Sequence, residues 1–177
     1  MNAAEIDRAL DRLAAEVAAR ARAEDGERGL AIVGIQRGGV HLARRLRARL
    51  AKLVGAEPPF GTIDIALYRD DLDEKGATPV VGPTDVRFPV AGKTILLVDD
   101  VLYTGRTVRA ALDELVDFGR PRRVWLLVLV DRGGRELPVA ADFVGARLSA
   151  AAQDDVQVRL VEAGAPEDAV VVTRRSP

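Results

Sequence analysis

Apolar positions along the chain fall into two alternating rhythms. Ile6, Leu10, Leu13 and Val17 recur at helical spacing among Asp7, Asp11, Arg12 and Glu16, which predicts an amphipathic first helix. Gly26 and Gly29 end it, and LAIVGI (30–35) follows as an apolar run of strand length. A glycine-containing turn, Gln36–Gly39, opens a second helix with Leu42, Leu46, Leu50 and Leu53 on one face. TIDIALY (62–68) alternates with period two, as a strand with one covered face does. Residues 69–92 hold charges, three prolines and three glycines but no apolar period, which predicts a flexible loop or hairpin. Insertions of that kind in a compact domain usually act as lids. A strand at 93–98 leads to a helix with Val108, Ala111, Leu112, Leu115 and Val116 on one face, stopped by Gly119 and Pro121. VWLLVLV (124–130) is the most apolar strand and must be central, with Trp125 in the core. Shorter strands are predicted near 142–145, 156–160 and 169–173.

Strands alternating with helices, several apolar throughout, predict an α/β fold with a mainly parallel sheet covered on both faces. At 177 residues the chain suits one domain, 1–177. Nothing in it approaches the roughly 20 apolar residues of a membrane span, and the charged N-terminus lacks the apolar core of a signal peptide. There are no cysteines, which removes disulfides, thiol catalysis and zinc–thiolate sites. The expected location is cytoplasmic. A net charge of −1 gives no global field for nucleic acid, so any such partner needs a local basic patch.

The chemistry concentrates in ILLVDDVLYTGRT (95–107). An apolar strand runs into Asp99 and Asp100, and a short turn then opens a helix. Free amides and the positive dipole end at such a turn favour an anion. Thr104 and Thr107 can add hydroxyl donors, and Gly105 lets a bound group approach the backbone. That describes a phosphate cradle, although GxxxxGK[ST] and GxGxxG are both absent. Carboxylates beside it can accept from vicinal sugar hydroxyls and hold the water shell of a magnesium ion, so a sugar phosphate satisfies both halves. The plainer alternative makes Asp100 the cap of a turn and Thr104 the cap of the helix.

VDDVLYTGRT resembles the signature of type I phosphoribosyltransferases, which bind 5-phosphoribosyl 1-pyrophosphate (PRPP). Together LYRDDL (67–72), VDDVLYTGRTVRAALDELVDFGRP (98–121) and VLVDRGGRELP (128–138) resemble the PyrR family of pyrimidine-operon regulators and uracil phosphoribosyltransferases. The resemblance runs in register over almost the whole chain. It implies the type I phosphoribosyltransferase fold, a central mainly parallel sheet flanked by helices with a small hood and a flexible loop. The implied reaction joins uracil and PRPP to give UMP and pyrophosphate, with Mg2+, in a homo-oligomer (dimer or tetramer). Asp99 and Asp100 would hold the ribose hydroxyls with magnesium nearby, while Tyr103, Thr104, Gly105, Arg106 and Thr107 bind the 5′-phosphate. Val101 and Leu102 complete that PRPP segment. Gln36–Gly39 would be the pyrophosphate loop, with Arg37 and Gly38 as PRPP contacts. Relatives commonly read Thr-Arg-Gly where this chain has Arg37-Gly38-Gly39, which shifts the arginine by one position. Tyr68, Arg69, Asp70 and Asp71 would begin the closing loop, with Arg69 joining Asp99 and Asp100 as catalytic residues. Asp131 and Arg132 would meet the base.

Relatives also bind pyrimidine-operon leader RNA, which makes a UMP-responsive regulator with weak or vestigial catalysis the alternative, followed by a phosphoribosyltransferase for another base. Asp11, Ala15, Gly134, Ala140 and Ala146 stand where RNA-binding relatives commonly carry threonine, histidine or further basic residues. Arg12 and Arg135 remain as RNA-binding candidates. The loss of cations and polar donors predicts RNA binding that is reduced, lost or dependent on altered contacts. The arginines of the second helix (Arg44, Arg45, Arg47 and Arg49, with Lys52) read as its solvated face.

Overall fold

The computed structural model describes residues 1–24, 29–65 and 84–174. Five parallel strands form one sheet in the order β2-β1-β3-β4-β5. They are β1 (Leu30–Ile35), β2 (Phe60–Ile63), β3 (Thr94–Leu102), β4 (Arg123–Asp131) and β5 (Phe143–Arg147). A separate antiparallel pair, β6 (Asp154–Arg159) and β7 (Ala169–Arg174), closes the described chain.

Two helices, α1 (Ala3–Glu24) and α2 (Gly38–Val54), cover one face of the sheet; α3 (Arg106–Asp117) covers the other. On the first face, Ile6, Leu10, Leu13 and Val17 of α1 meet Leu42, Leu46 and Leu50 of α2 over Leu96, Val98 and Leu127. On the second, Val108, Ala111 and Leu115 pack on Val33, Ile95, Leu97 and Val128. Both helical stripes are narrower than the sequence predicts. Leu53 is 43% exposed and Val116 is 59% exposed. Each lies in the last turn of its helix on the outward side, next to Val54 and Leu115, which do pack on the cores.

The expected strand at 62–68 begins two residues earlier, at Phe60, and ends at Ile63, while residues 66–68 lie outside the described residues. Residues 84–92 of the expected loop are packed. Asp85 pairs antiparallel with Thr62, and Val90 is fully buried with Val86 and Phe88 against the second core. Val86, Phe88 and Val90 do alternate, but Pro89 and the charges around them hide the period.

β3 departs further from expectation. It does not stop at Val98 but continues through both acids, with Asp99 opposite Val128 and Val101 opposite Val130. Its other neighbour, β1, pairs no further than Val98. Beyond that point the chain after β1 turns into α2 at the carboxyl ends of the strands, the end of an open α/β sheet where ligands bind.

The basic face of α2 is largely neutralised from within. Arg45 donates to Glu162 and to Asp168 at 2.5 Å each, Arg47 pairs with Glu57 at 2.9 Å, and Arg49 pairs with Asp7 and with Asp11, the latter at 2.7 Å. Asp11, one of the departures from RNA-binding relatives, thus has an internal role. Trp125 is buried under Arg20, whose guanidinium lies 4.8 Å from the ring centroid.

Candidate active site

Three segments meet at the carboxyl end of β3. The first is the acid pair. Asp99 is 5% exposed and Asp100 is half-buried. Each carboxylate turns back onto the next backbone amide: Asp100 N–H donates to Asp99 Oδ1 (2.9 Å), and Val101 N–H donates to Asp100 Oδ1 (2.8 Å). Burial, and then the charge of Asp100, push the Asp99 carboxyl well above the usual carboxylate range. Burial raises Asp100 as well. The pair is unneutralised by any cation among the described residues, which is the electrostatic condition of a site made for one.

The second segment is the turn Gln36–Gly39, which lies directly on the acids. Its Gln36–Arg37 peptide is cis. A Cβ on Gly38 would overlap the Asp100 carboxylate, and one on Gly39 would overlap the Val98 carbonyl. Glycine is required at 39, where backbone meets strand backbone with no room for a side chain, whereas a side chain at 38 would have to displace the Asp100 carboxylate. Arg37 is exposed beside them at the N-cap of α2, whose first turn holds no acidic residue.

The third segment is the turn into α3. Gly105 is the N-cap, in the left-handed region at φ 93°, and no side chain caps the helix. Thr104 therefore does not cap it; its hydroxyl only accepts from Arg106 N–H at 3.3 Å. The open amides are those of an anion site.

Residues 131–139 lie behind that turn and hold it. Glu136 and Leu137 N–H donate to the Thr104 carbonyl (2.9 and 3.0 Å), and Arg106 Nε donates to Glu136 (2.7 Å). Leu137 and Val139 border Gly105. Arg132, 6% exposed, places its guanidinium 3.9 Å from the Tyr103 ring centroid and donates to the carbonyls of Asp154 (2.8 Å) and Ala151 (2.9 Å). Gly134, at φ 76°, leaves space for that ring: a Cβ there would lie 2.5 Å from Tyr103 Cε2. Burial acts upward on the Asp131 carboxyl and is outweighed by hydrogen bonds from Arg135 and Gly133 N–H, so its pKa falls below the usual value.

Asp99, Asp100, Val101, Leu102, the Tyr103–Thr107 turn, Arg37, Gly38, Asp131 and Arg132 therefore gather at one end of the sheet. Arg69 lies outside the described residues. Arg12 and Arg135, the RNA candidates, both serve internal contacts. Arg12 donates to Glu16 (2.6 Å) and to the carbonyls of Val144 (3.0 Å) and Gly145 (2.7 Å). Arg135 pairs with Asp131 at 2.6 Å. Sequence reasoning missed this support of the phosphate turn by residues 135–139, although the i,i+4 spacing of Asp131 and Arg135 could have suggested their ion pair.

The family model described as "Phosphoribosyl transferase domain" matches residues 2–163, which makes the chain a phosphoribosyltransferase, and a parallel sheet with an acid pair and an uncapped helix turn at its carboxyl end agrees with that class. The hypoxanthine phosphoribosyltransferase of Trypanosoma cruzi shares the fold with a TM-score of 0.73 and 19% identity, over 99% of this chain and 95% of that one. A "Bifunctional protein PyrR" of Roseiflexus sp. (strain RS-1) is 49% identical over 174 residues, 98% of this chain and 93% of its own. Another, from Thermus aquaticus, is 53% identical over 162 residues, 92% of this chain and 88% of its own. The chain belongs to the PyrR family of phosphoribosyltransferases.

Proposed function

We propose that this chain transfers the phosphoribosyl group of PRPP to N1 of uracil, releasing pyrophosphate and forming UMP. The observation that carries the proposal is the convergence of the acid pair, the Arg37 turn and the uncapped turn into α3 at the carboxyl end of the sheet. The α3 amides take the 5′-phosphate, Asp99 and Asp100 take the ribose hydroxyls, and Arg37 with the turn backbone takes the pyrophosphate. No enzyme nucleophile is needed. Developing positive charge on the ribose meets the acid pair, and fixed geometry supplies most of the rate. Asp131 and Arg132 bound the base side. Arg132 lies against the Tyr103 ring and donates to the Asp154 and Ala151 carbonyls, so it supports the wall of that side. Arg69 is assigned to closure over the substrates.

Magnesium fits the donor set. Two buried carboxylates with raised pKa values ask for a cation, yet no cluster of three or more His, Cys, Asp or Glu among the described residues could hold one alone. Substrate oxygens and water complete such a shell in phosphate-handling sites. The ion supplies charge neutralisation on the leaving pyrophosphate. The chain is assigned to the cytoplasm as a homo-oligomer. Pyrophosphate release measured with uracil, orotate, hypoxanthine and guanine tests the base: turnover is expected with uracil alone, and release with a purine but not uracil would retire the assignment.

Regulation through leader RNA is the family's second activity. The internal engagement of Arg12, Arg45, Arg47, Arg49 and Arg135 supports weakened RNA contact in this chain, with exposed Arg8 and Arg147 among the cations left at the surface. A gel-shift titration with the organism's own pyrimidine leader is expected to show weak, salt-sensitive binding. Nanomolar binding stimulated by UMP would contradict this reading.

A further inference from the structure

Arg135 has no part in the usual description of a phosphate turn, yet its guanidinium sits behind this one with every nitrogen engaged. Nε donates to the Val139 carbonyl (3.0 Å) and Nη2 to Asp131 Oδ1 (2.6 Å). Nη1 donates to the Tyr103 carbonyl at 2.7 Å, with longer contacts to the carbonyls of Leu102 and Gly133 at 3.3 Å each. The side chain is only 23% exposed. The 2.7 Å contact matters most because of where it falls. A planar trans peptide directs its C=O and N–H in opposite senses. Drawing the Tyr103 carbonyl back toward Arg135 therefore turns the Thr104 N–H forward, away from the supporting segment. The next peptide is fixed the same way: its Thr104 carbonyl accepts from Glu136 and Leu137 N–H, so the Gly105 N–H also faces forward. Two consecutive amide donors are aimed by this one segment. Backbone amides account for one aim, and the charged side chain of Arg135 for the other.

We propose that Arg135 is a positioning residue for the 5′-phosphate, holding the Tyr103 carbonyl so that the Thr104 amide faces the substrate. The proposal rests on the phosphoribosyl reading of the site. Arg135 touches no substrate. Its anchor, Asp131, lies on the base side, so the same guanidinium ties the end of β4 to the turn after β3. A charge-assisted hydrogen bond to a carbonyl is among the stronger single contacts in a protein, and losing it frees the peptide to rotate.

Calorimetric titration of wild type, Arg135→Ala and Arg135→Lys with ribose 5-phosphate, and separately with magnesium pyrophosphate, tests the idea. Ribose 5-phosphate needs the turn after β3; pyrophosphate needs the Gln36–Gly39 turn. Arg135→Ala is expected to bind ribose 5-phosphate at least about tenfold more weakly, with pyrophosphate affinity nearly unchanged. Arg135→Lys should fall between, and millimolar methylguanidinium should restore part of the loss in Arg135→Ala. Equal weakening of both ligands, or none, would overturn the proposal. Should Arg135→Ala not fold, Arg135→Lys decides alone: wild-type affinity for ribose 5-phosphate counts against the proposal, and selective weakening supports it. A wild type that ignores ribose 5-phosphate removes the phosphoribosyl reading and this proposal together. Wild-type binding with unaltered variants removes only this one.

Discussion

Replacing Asp99 and Asp100 together by asparagine is expected to lower phosphoribosyl transfer by at least about 10²–10³-fold while making the ligand-free protein more stable. Both effects have one cause. The carboxylates are held in a buried strand where ionisation is unfavourable, and the backbone amide that each accepts does not offset that penalty. Their raised pKa values set the sign of the pH effect. A group whose folded pKa is raised contributes stability that is fully present below its unfolded value and lost as pH rises through its folded value. The melting temperature of wild type minus that of the double variant should therefore grow more negative from about pH 4 toward about pH 8. Near-normal turnover in the variant would remove the acids from the reaction. A flat difference across that range would show that the pair is already neutralised.

Alanine at Gly39 should damage the site from the opposite side. Its Cβ would press into the Val98 carbonyl and against the Asp99 Cα at 3.0 Å, so the turn must lift away from β3. Overpacking of this kind costs about 1–3 kcal/mol, and displacing a substrate-positioning loop can lower turnover by about a hundredfold. Gly29 is the matched control, because a Cβ there meets nothing within 4 Å. Gly29→Ala should change stability by no more than about 0.5 kcal/mol and leave turnover intact. Urea melts and steady-state rates on both variants separate these outcomes. Equal behaviour would mean that the contact between turn and strand is unimportant.

The fold was legible wherever a periodic apolar face was long. The Ile6–Val17 stripe and the run 30–35 lie where their patterns place them, because a buried face must repeat with the element that carries it. VWLLVLV is a buried inner strand, but β3 and not β4 takes the middle of the sheet. Boundaries were less legible. Nothing in ILLVDD says that β3 continues through its acids; that follows from β4, which offers Val128 and Val130 as partners. Likewise the phosphate turn is readable from its own residues, whereas its support by 131–139 is not. Arg135 looks like surface charge in a linear chain and becomes a bracket only when β3 and β4 are side by side. Asp11 is similar: it reads as a lost RNA contact, and the fold shows it neutralising Arg49.

Arg12 has a consequence for how copies of this protein can meet. Its guanidinium occupies the carbonyls of Val144 and Gly145 on β5, one outer strand of the sheet. At the opposite border, Thr62 of β2 exchanges hydrogen bonds with Asp85 in both directions, at 3.0 and 2.8 Å. Both margins of the five-stranded sheet are thus plugged, one by a side chain and one by the returning chain. Unpaired strand margins are templates for sheet-to-sheet fusion, and here they are closed at these positions. A second copy of the chain could not extend this sheet at either place without first displacing these contacts.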